Sequence, residues 1–290
     1  MKPAPFIHFV PASLTEALSL LAEHAPEARV IAGGQSLVPI MNFRLGRPPV
    51  LIDLNRIPEL SFIRDDGDFL AIGAMTRQRT IENSALVRSA APLLHQATLN
   101  IGHLPIRSRG TIGGSIANAD PAAEYPATVL ALDCELVVQK QGGERRIAAR
   151  DFFEGVLSTA VEPNEILTEI VVPKAPAHSG SAFVEIARRK GDFALAGVAA
   201  QITLSGEAAL SVQLAACGVG PGPVRLSAAE AIILSDGLSD AALKAGARAA
   251  AREVAPENDL HGTEAYRRRL TAAMTHRALV QALARAREAA

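Results

Sequence analysis

The same short pattern occurs twice in this chain, and it constrains the fold more than any other feature of the sequence. Ala32-Gly33-Gly34-Gln35-Ser36 runs straight out of an apolar strand-like stretch, Arg29-Val30-Ile31-Ala32, and Thr111-Ile112-Gly113-Gly114-Ser115 repeats the grammar further on. Paired glycines admit positive φ and let another group approach the backbone closely. Successive main-chain N–H groups in such a turn, backed by a helix N-terminus, suit a phosphate or pyrophosphate. Gln35, Ser36, Thr111 and Ser115 add side-chain donors, and Asn118 and Asp120 follow the second segment. Neither segment has the spacing of a GxGxxG fingerprint or a P-loop. A single Gly-Gly pair after a strand is more often a plain tight turn. Two of them, each flanked by hydroxyl or amide groups, point to a nucleotide carrying a diphosphate, and the residues alone go no further.

Composition removes several alternatives. Lys and Arg number 29 against 30 Asp and Glu, so the chain lacks the basic excess of a nucleic-acid binder. Its 290 residues suffice for two domains, and 49% hydrophobic with 20% charged residues describes an ordinary globular protein. Cys134 and Cys217 both lie in apolar surroundings that read as strands, which predicts buried thiols; two cysteines fall short of the four thiolates of a usual iron–sulfur cluster. The seven His residues form no HExxH and no Cys/His metal spacing. No apolar run is long enough for a membrane span, and the proline-interrupted start makes a poor signal peptide, so a cytoplasmic protein is expected.

Along the chain, Ser13 and Glu16 form a capping box ahead of Leu14, Ala17, Leu18 and Leu21 at helical spacing, with Pro26 closing the helix. Strands are expected at 50–54, 69–73, 135–139, 146–148 and 166–172, with a hairpin turn at Gln141-Gly142-Gly143. Residues 80–100 read as helical, with a break at Pro92, and 125–132 as a short helix. Lys174 to Gly180 is the best linker, which places a boundary near residue 176. Beyond it come three long strands, 182–188, 194–204 and 211–219, and then three helical pieces: an α+β arrangement. Arg267, Arg268, Arg269, Arg277, Arg285 and Arg287 on the last helix read as a solvated basic face, with a docking surface for another subunit as the weaker alternative.

Other residues carry two readings each. Glu124 either accepts hydrogen bonds from a ribose or is an exposed charge. Arg188-Arg189-Lys190-Gly191-Asp192-Phe193 is either a solvated turn or a loop over a planar cofactor with Phe193 as its lid. His95 and His103 have no partner readable in sequence, and Asp53 and Arg44 read as structural.

Ala32-Gly33-Gly34-Gln35-Ser36-Leu37-Val38-Pro39 and Ile106-Arg107-Ser108-Arg109-Gly110-Thr111-Ile112-Gly113-Gly114-Ser115-Ile116-Ala117-Asn118-Ala119-Asp120-Pro121 closely resemble the FAD-binding medium subunits of the xanthine dehydrogenase/carbon monoxide dehydrogenase family of molybdenum hydroxylases. The resemblance covers essentially the whole chain. It implies an FAD-binding domain of the vanillyl-alcohol-oxidase (PCMH) type at 1–176, made of two α+β subdomains with FAD between them. It implies a C-terminal domain at 177–290 with a three-stranded antiparallel sheet and a three-helix bundle. The implied cofactor residues are Ile31, Ala32, Gly33, Gly34, Gln35, Ser36, Leu37 and Val38 around the pyrophosphate, and Thr111, Gly113, Gly114, Ser115 and Asn118 on the other side. Glu124, Leu167, Asp192 and Phe193 complete the set, the last two near the isoalloxazine ring. The chain departs from the pattern at Ser108 and Ser115, where many relatives have Asn, at Phe193, where many have Tyr, and at Val184, where some have Lys.

By the same resemblance the expected partners are a molybdopterin-containing large subunit and a [2Fe–2S] small subunit, in a dimer of heterotrimers. FAD would pass electrons to an external acceptor, with no catalytic side chain and no metal on this chain. Two other readings remain: a self-sufficient FAD oxidoreductase of the same superfamily, and a non-catalytic nucleotide-binding scaffold.

Overall fold

The computed structural model describes residues 2–290, which form three main sheets and one two-stranded ribbon with helices packed against them. The first unit is β1 (Ile7–Phe9), α1 (Leu14–His24), β2 (Ala28–Ile31), α2 (Leu37–Asn42) and β3 (Val50–Asp53). β3 lies between β1 and β2, parallel to both, and α1 covers the sheet through Ala17, Leu18 and Leu21. The N-terminus of α1 is capped much as expected: the Glu16 N–H donates to Ser13 Oγ at 3.2 Å. The Glu16 carboxylate, however, accepts from the Ala12 N–H at 2.8 Å and not from that of Ser13.

The second unit begins with β4 (Ile63–Asp66) and β5 (Phe69–Gly73) and continues through α3 (Gln78–Asn83), α4 (Ala85–Ala90), α5 (Pro92–Thr98), α6 (Leu104–Arg109), α7 (Ile112–Asn118) and α8 (Glu124–Ala131). It closes with β6 (Glu135–Lys140), β7 (Gly143–Ala148), the small ribbon β8 (Phe153–Gly155) and β9 (Ser158–Thr159), and β10 (Ile166–Pro173). The sheet order is β4-β5-β10-β6-β7, antiparallel throughout. The helical stretch expected over 80–100 is three short helices. Pro92 starts one of them, and Ser84 starts another by accepting from the Val87 N–H at 3.2 Å. Cys134 sits in the turn before β6, not in a strand, whereas Cys217 ends a strand; both are buried and free.

The third unit is β11 (Ser179–Ala187), β12 (Ala194–Ser205), β13 (Ala208–Cys217), the two-residue β14 (Val224–Arg225), then α9 (Ser227–Asp236), α10 (Asp240–Glu253) and α11 (Glu264–Glu288). β14 extends the three long antiparallel strands by a short fourth. Both faces of this sheet are covered. Ala182, Val198, Ala200, Leu214 and Ala216 meet the three helices, while Phe183, Ala199, Ala215 and Cys217 pack into the core of the second unit. That double burial explains why β12 is apolar along nearly its whole length.

The arginines of α11 do not form the solvated basic face read from the sequence. Arg267 is buried and donates to the carbonyls of Leu195 and Gly218, both at 2.8 Å, and to Asp259 at 2.6 Å. Arg285 reaches across to Gln96 and the Ser181 carbonyl, and Arg268 bonds the Ala251 carbonyl. Only Arg269, Arg277 and Arg287 of the six remain on the exposed side without such ties.

Candidate functional site

A cleft of about 780 Å³ opens between the first and second units, within the range of small-molecule and cofactor sites. Both glycine segments form its walls. They stand against each other: a Cβ on Gly33 would lie 2.4 Å from the Arg109 carbonyl oxygen, and one on Gly114 would lie 3.3 Å from the Ala32 Cβ. Glycine at these places is what permits the two backbones to meet.

The two segments are nonetheless built differently. After β2 the chain turns through Gly34 at φ +74°, a conformation that favours glycine. Among the described residues no protein acceptor takes the N–H groups of Gly33, Gly34, Gln35 or Ser36. These amides are not used within the protein. The Gln35 side chain folds back to donate to the Gly33 carbonyl at 3.0 Å, fixing the turn.

The second segment is a helix start, not a loop. Thr111 caps α7, its hydroxyl accepting from the Gly114 N–H at 3.1 Å, and Gly113 and Gly114 occupy the first turn. The Ile112 and Gly113 amides donate to the Thr76 and Ala74 carbonyls, and the Ser115 amide donates to that of Thr111. All of these amides are therefore spent within the protein. The physical reason for the glycines is space: a Cβ on Gly113 would lie 2.4 Å from the Ala74 Cβ. This wall offers a close, flat approach and side-chain groups rather than a nest of free amides.

A relay ties the walls together that no sequence motif announces. Asn55 donates to the Ala32 carbonyl at 2.8 Å, Arg77 donates to Asn55, and Arg77 also donates to the Arg109 carbonyl. Gln78, next in the chain, lines the cleft with its side-chain oxygen buried and unpartnered.

Of the residues singled out from the sequence, Ile31, Ala32, Gly33, Gly34, Gln35, Ser36, Leu37, Thr111, Gly113, Gly114, Ser115, Asn118, Glu124, Leu167, Asp192 and Phe193 all line this one cleft. Val38 lines a smaller cavity of about 340 Å³ on the far side of the first segment. Leu167 is presented by β10 beside a bulge between Leu167 and Glu169. Glu124 begins α8 and is 6% exposed, so the exposed-charge reading fails. Burial first, and the neighbouring Glu185 second, push its carboxyl up to about 8. The 188–193 loop reaches the rim through Gly191, Asp192 and Phe193, with Phe193 largely exposed. Gly191, at φ +87°, rests on the His103 ring; a Cβ there would lie 2.4 Å from it.

Besides Gln78, the sequence reading missed Arg77 and Asn55, and it left Gly110 without a role. Gly110 stands where a Cβ would lie 2.5 Å from the Gln78 side-chain oxygen. The run Arg109-Gly110-Thr111 carried that signal, since a third glycine precedes the pair.

A deep cleft between two sheet subdomains, with free amides on one wall and glycines on both, defines a dinucleotide-cofactor protein. The chain belongs to the FAD-binding medium subunits of the molybdenum hydroxylases. Residues 4–175 match the FAD binding domain in molybdopterin dehydrogenase, and residues 181–282 match the CO dehydrogenase flavoprotein C-terminal domain. The chain is 41% identical over 288 residues to the 6-hydroxypseudooxynicotine dehydrogenase complex subunit alpha of Paenarthrobacter nicotinovorans, covering 99% of this chain and 97% of that one. It is 36% identical to the carbon monoxide dehydrogenase medium chain of Hydrogenophaga pseudoflava, covering 98% of this chain and 99% of that one. Among solved structures, the carbon monoxide dehydrogenase of H. pseudoflava that lacks the Mo-pyranopterin moiety superposes with a TM-score of 0.96 at 38% identity, covering 98% and 99% of the two chains. The chain is thus a flavoprotein subunit of a molybdenum-containing oxidoreductase, with FAD as its cofactor. Among the described residues no helix is long and apolar enough to cross a membrane.

Proposed function

We propose that this chain is the electron outlet of a cytoplasmic molybdenum hydroxylase complex. In this reading a large subunit with molybdopterin oxidises the substrate, and a small subunit with [2Fe–2S] clusters relays electrons singly. They leave from this chain in pairs to an external acceptor such as a quinone, NAD or oxygen. The assembly is a dimer of heterotrimers, and the chain divides near residue 176 into the cofactor domain and a C-terminal domain. The words "complex subunit" and "medium chain" in the names of the relatives support partner chains.

Bound FAD supplies the exchange between one- and two-electron chemistry, and the protein supplies binding, orientation and tuning. The free amides of Gly33 to Ser36 hold the diphosphate by successive N–H donation, with Thr111 to Ser115 closing on it from the other wall. Gln78 accepts a hydrogen bond from the cofactor into its buried oxygen. Leu167 excludes water, and Phe193 with Asp192 covers the rim. The observation that carries the reading is the set of unclaimed amides facing a cleft that both glycine segments build.

Purification through a tag on this chain, co-expressed with its neighbouring large and small subunits, tests the reading. The expected complex contains all three chains and one FAD per copy of this one. Its flavin is bleached anaerobically by substrate only while the iron–sulfur chain is present. Flavin reduction by a substrate of the isolated chain would favour the self-sufficient oxidoreductase, and a folded complex without flavin would favour the scaffold.

A further inference from the structure

The small hairpin of β8 and β9 also borders the cleft, and no motif marks it. Its base is fixed. Phe152 is fully buried, Phe153 packs against the core of the second unit, and the Ala160 N–H donates to the Phe152 carbonyl at 2.9 Å. Arg145, paired with Glu165, donates to the Ala160 carbonyl at 2.6 Å.

The tip departs from the chemistry of such turns. Gly155 pairs with Ser158, so Val156 and Leu157 are the two turn residues. Leu157 has φ +54°, a left-handed conformation that a turn of this kind normally gives to glycine or asparagine. Both side chains are apolar and both are more than half exposed. The Leu157 N–H donates to the Ala119 carbonyl at 3.3 Å, a main-chain bond that glycine would make as well. What leucine itself contributes must therefore lie elsewhere. Leu157 lines the cleft and Val156 does not.

Main-chain contacts locate the tip. Ala119 ends α7, so the tip stands a helix of seven residues, about 10 Å, from Thr111 and the meeting point of the glycine segments. Next along the chain, the Pro121 carbonyl accepts from the Gly218 N–H at 2.7 Å. A Cβ on Gly218 would lie 2.6 Å from the carbonyl oxygen of Ala194, the residue after Phe193. The hairpin tip, the turn at 119–121 and the Phe193 loop thus gather at one end of the cleft. Among the described residues, Leu157 and Phe193 are the large apolar side chains that line it with more than half of their surface open.

We propose that the Val156-Leu157 tip is a jaw over the flavin ring, with Leu157 as an apolar contact to the cofactor and Phe193 as the other jaw. A planar ring between the two takes both side chains out of water, and that gain offsets the unfavourable backbone of the turn. The inference rests on the reading that the cleft holds FAD with its ring near Phe193.

The test is a titration of the FAD-depleted complex with FAD, read by the visible flavin bands, beside a thermal melt of the FAD-free complex. Leu157→Gly and Leu157→Asn both suit the turn and both remove the apolar contact. Each should weaken FAD binding about tenfold, the size of burying much of a leucine side chain. The flavin bands should lose their shoulders as water reaches the ring, while the melting temperature of the FAD-free complex holds or rises. Leu157→Met should keep wild-type affinity and bands. Unchanged affinity in both variants would overturn the proposal. So would weaker binding with unaltered flavin bands, which would put the leucine against another part of the cofactor. An FAD-free melting temperature that falls in both variants, or loss of partner chains from them, would make the tip a structural or subunit contact instead. No FAD binding by wild type would overturn the proposal together with the assignment of the cleft.

Discussion

Replacing Gly33 by valine strips the complex of FAD, with affinity lowered at least about 100-fold, equivalent to roughly 3 kcal/mol. The cause is space alone, because Gly33 does not occupy the left-handed region. Its Cβ would stand 2.4 Å from the Arg109 carbonyl oxygen and 2.8 Å from the Gly110 Cα. Both are backbone atoms and neither is the end of a side chain that swings away, so the two cleft walls must part. Parting them moves the free amides of residues 33–36 and breaks the Asn55–Arg77 relay between Ala32 and Arg109. Gly222→Ala is the matched control, since nothing lies within 4 Å of its Cβ position. The readout is flavin per chain in the purified complex, beside a thermal melt to show that the variant is folded. A folded valine variant with wild-type FAD content would sink the assignment of this wall.

Removing the Arg267 side chain should cost the C-terminal domain far more stability than removing any of the exposed arginines of the same helix. Its guanidinium joins the first turn of α11 to the ends of β12 and β13 through the Leu195 and Gly218 carbonyls. Arg267→Ala leaves those two oxygens without their donor, at about 1–3 kcal/mol each where they stay dry. The ion pair with Asp259 adds little, because Asp259 is 45% exposed. A total of about 3 kcal/mol lowers the melting temperature of that domain by on the order of 10 °C. Arg269→Ala, on the exposed side of the same helix, is the reference; equal losses in the two variants would contradict the role given to Arg267.

Some of this structure could be read from the chain and some could not, for separable physical reasons. The cap of α1, the hairpin turn at Gln141-Gly142 and the long apolar strands β12 and β13 rest on neighbouring residues, and local sequence displays them. β4 escaped because Arg64-Asp65-Asp66 is a charged edge strand without alternation. The second glycine segment stood out in the sequence, but not as a helix. Glycine disfavours helices, and what it gains here is contact with Ala74, which only the folded chain brings near. Arg267 and Arg285 read as solvated because helical spacing cannot distinguish an arginine facing water from one facing strand ends. The walls of the cleft were thus visible as residue types, while Gln78 and the relay through Asn55 and Arg77 depend on segments distant in the chain.

The most direct test of the central claim is a crystal structure of the FAD-loaded complex. It should show the diphosphate against the amides of Gly33 to Ser36 and beneath Thr111 to Ser115, with Gln78 accepting a hydrogen bond and Glu124 in contact with the cofactor. FAD seated elsewhere on the chain, or a cleft filled with water while flavin is present in full, would contradict the account.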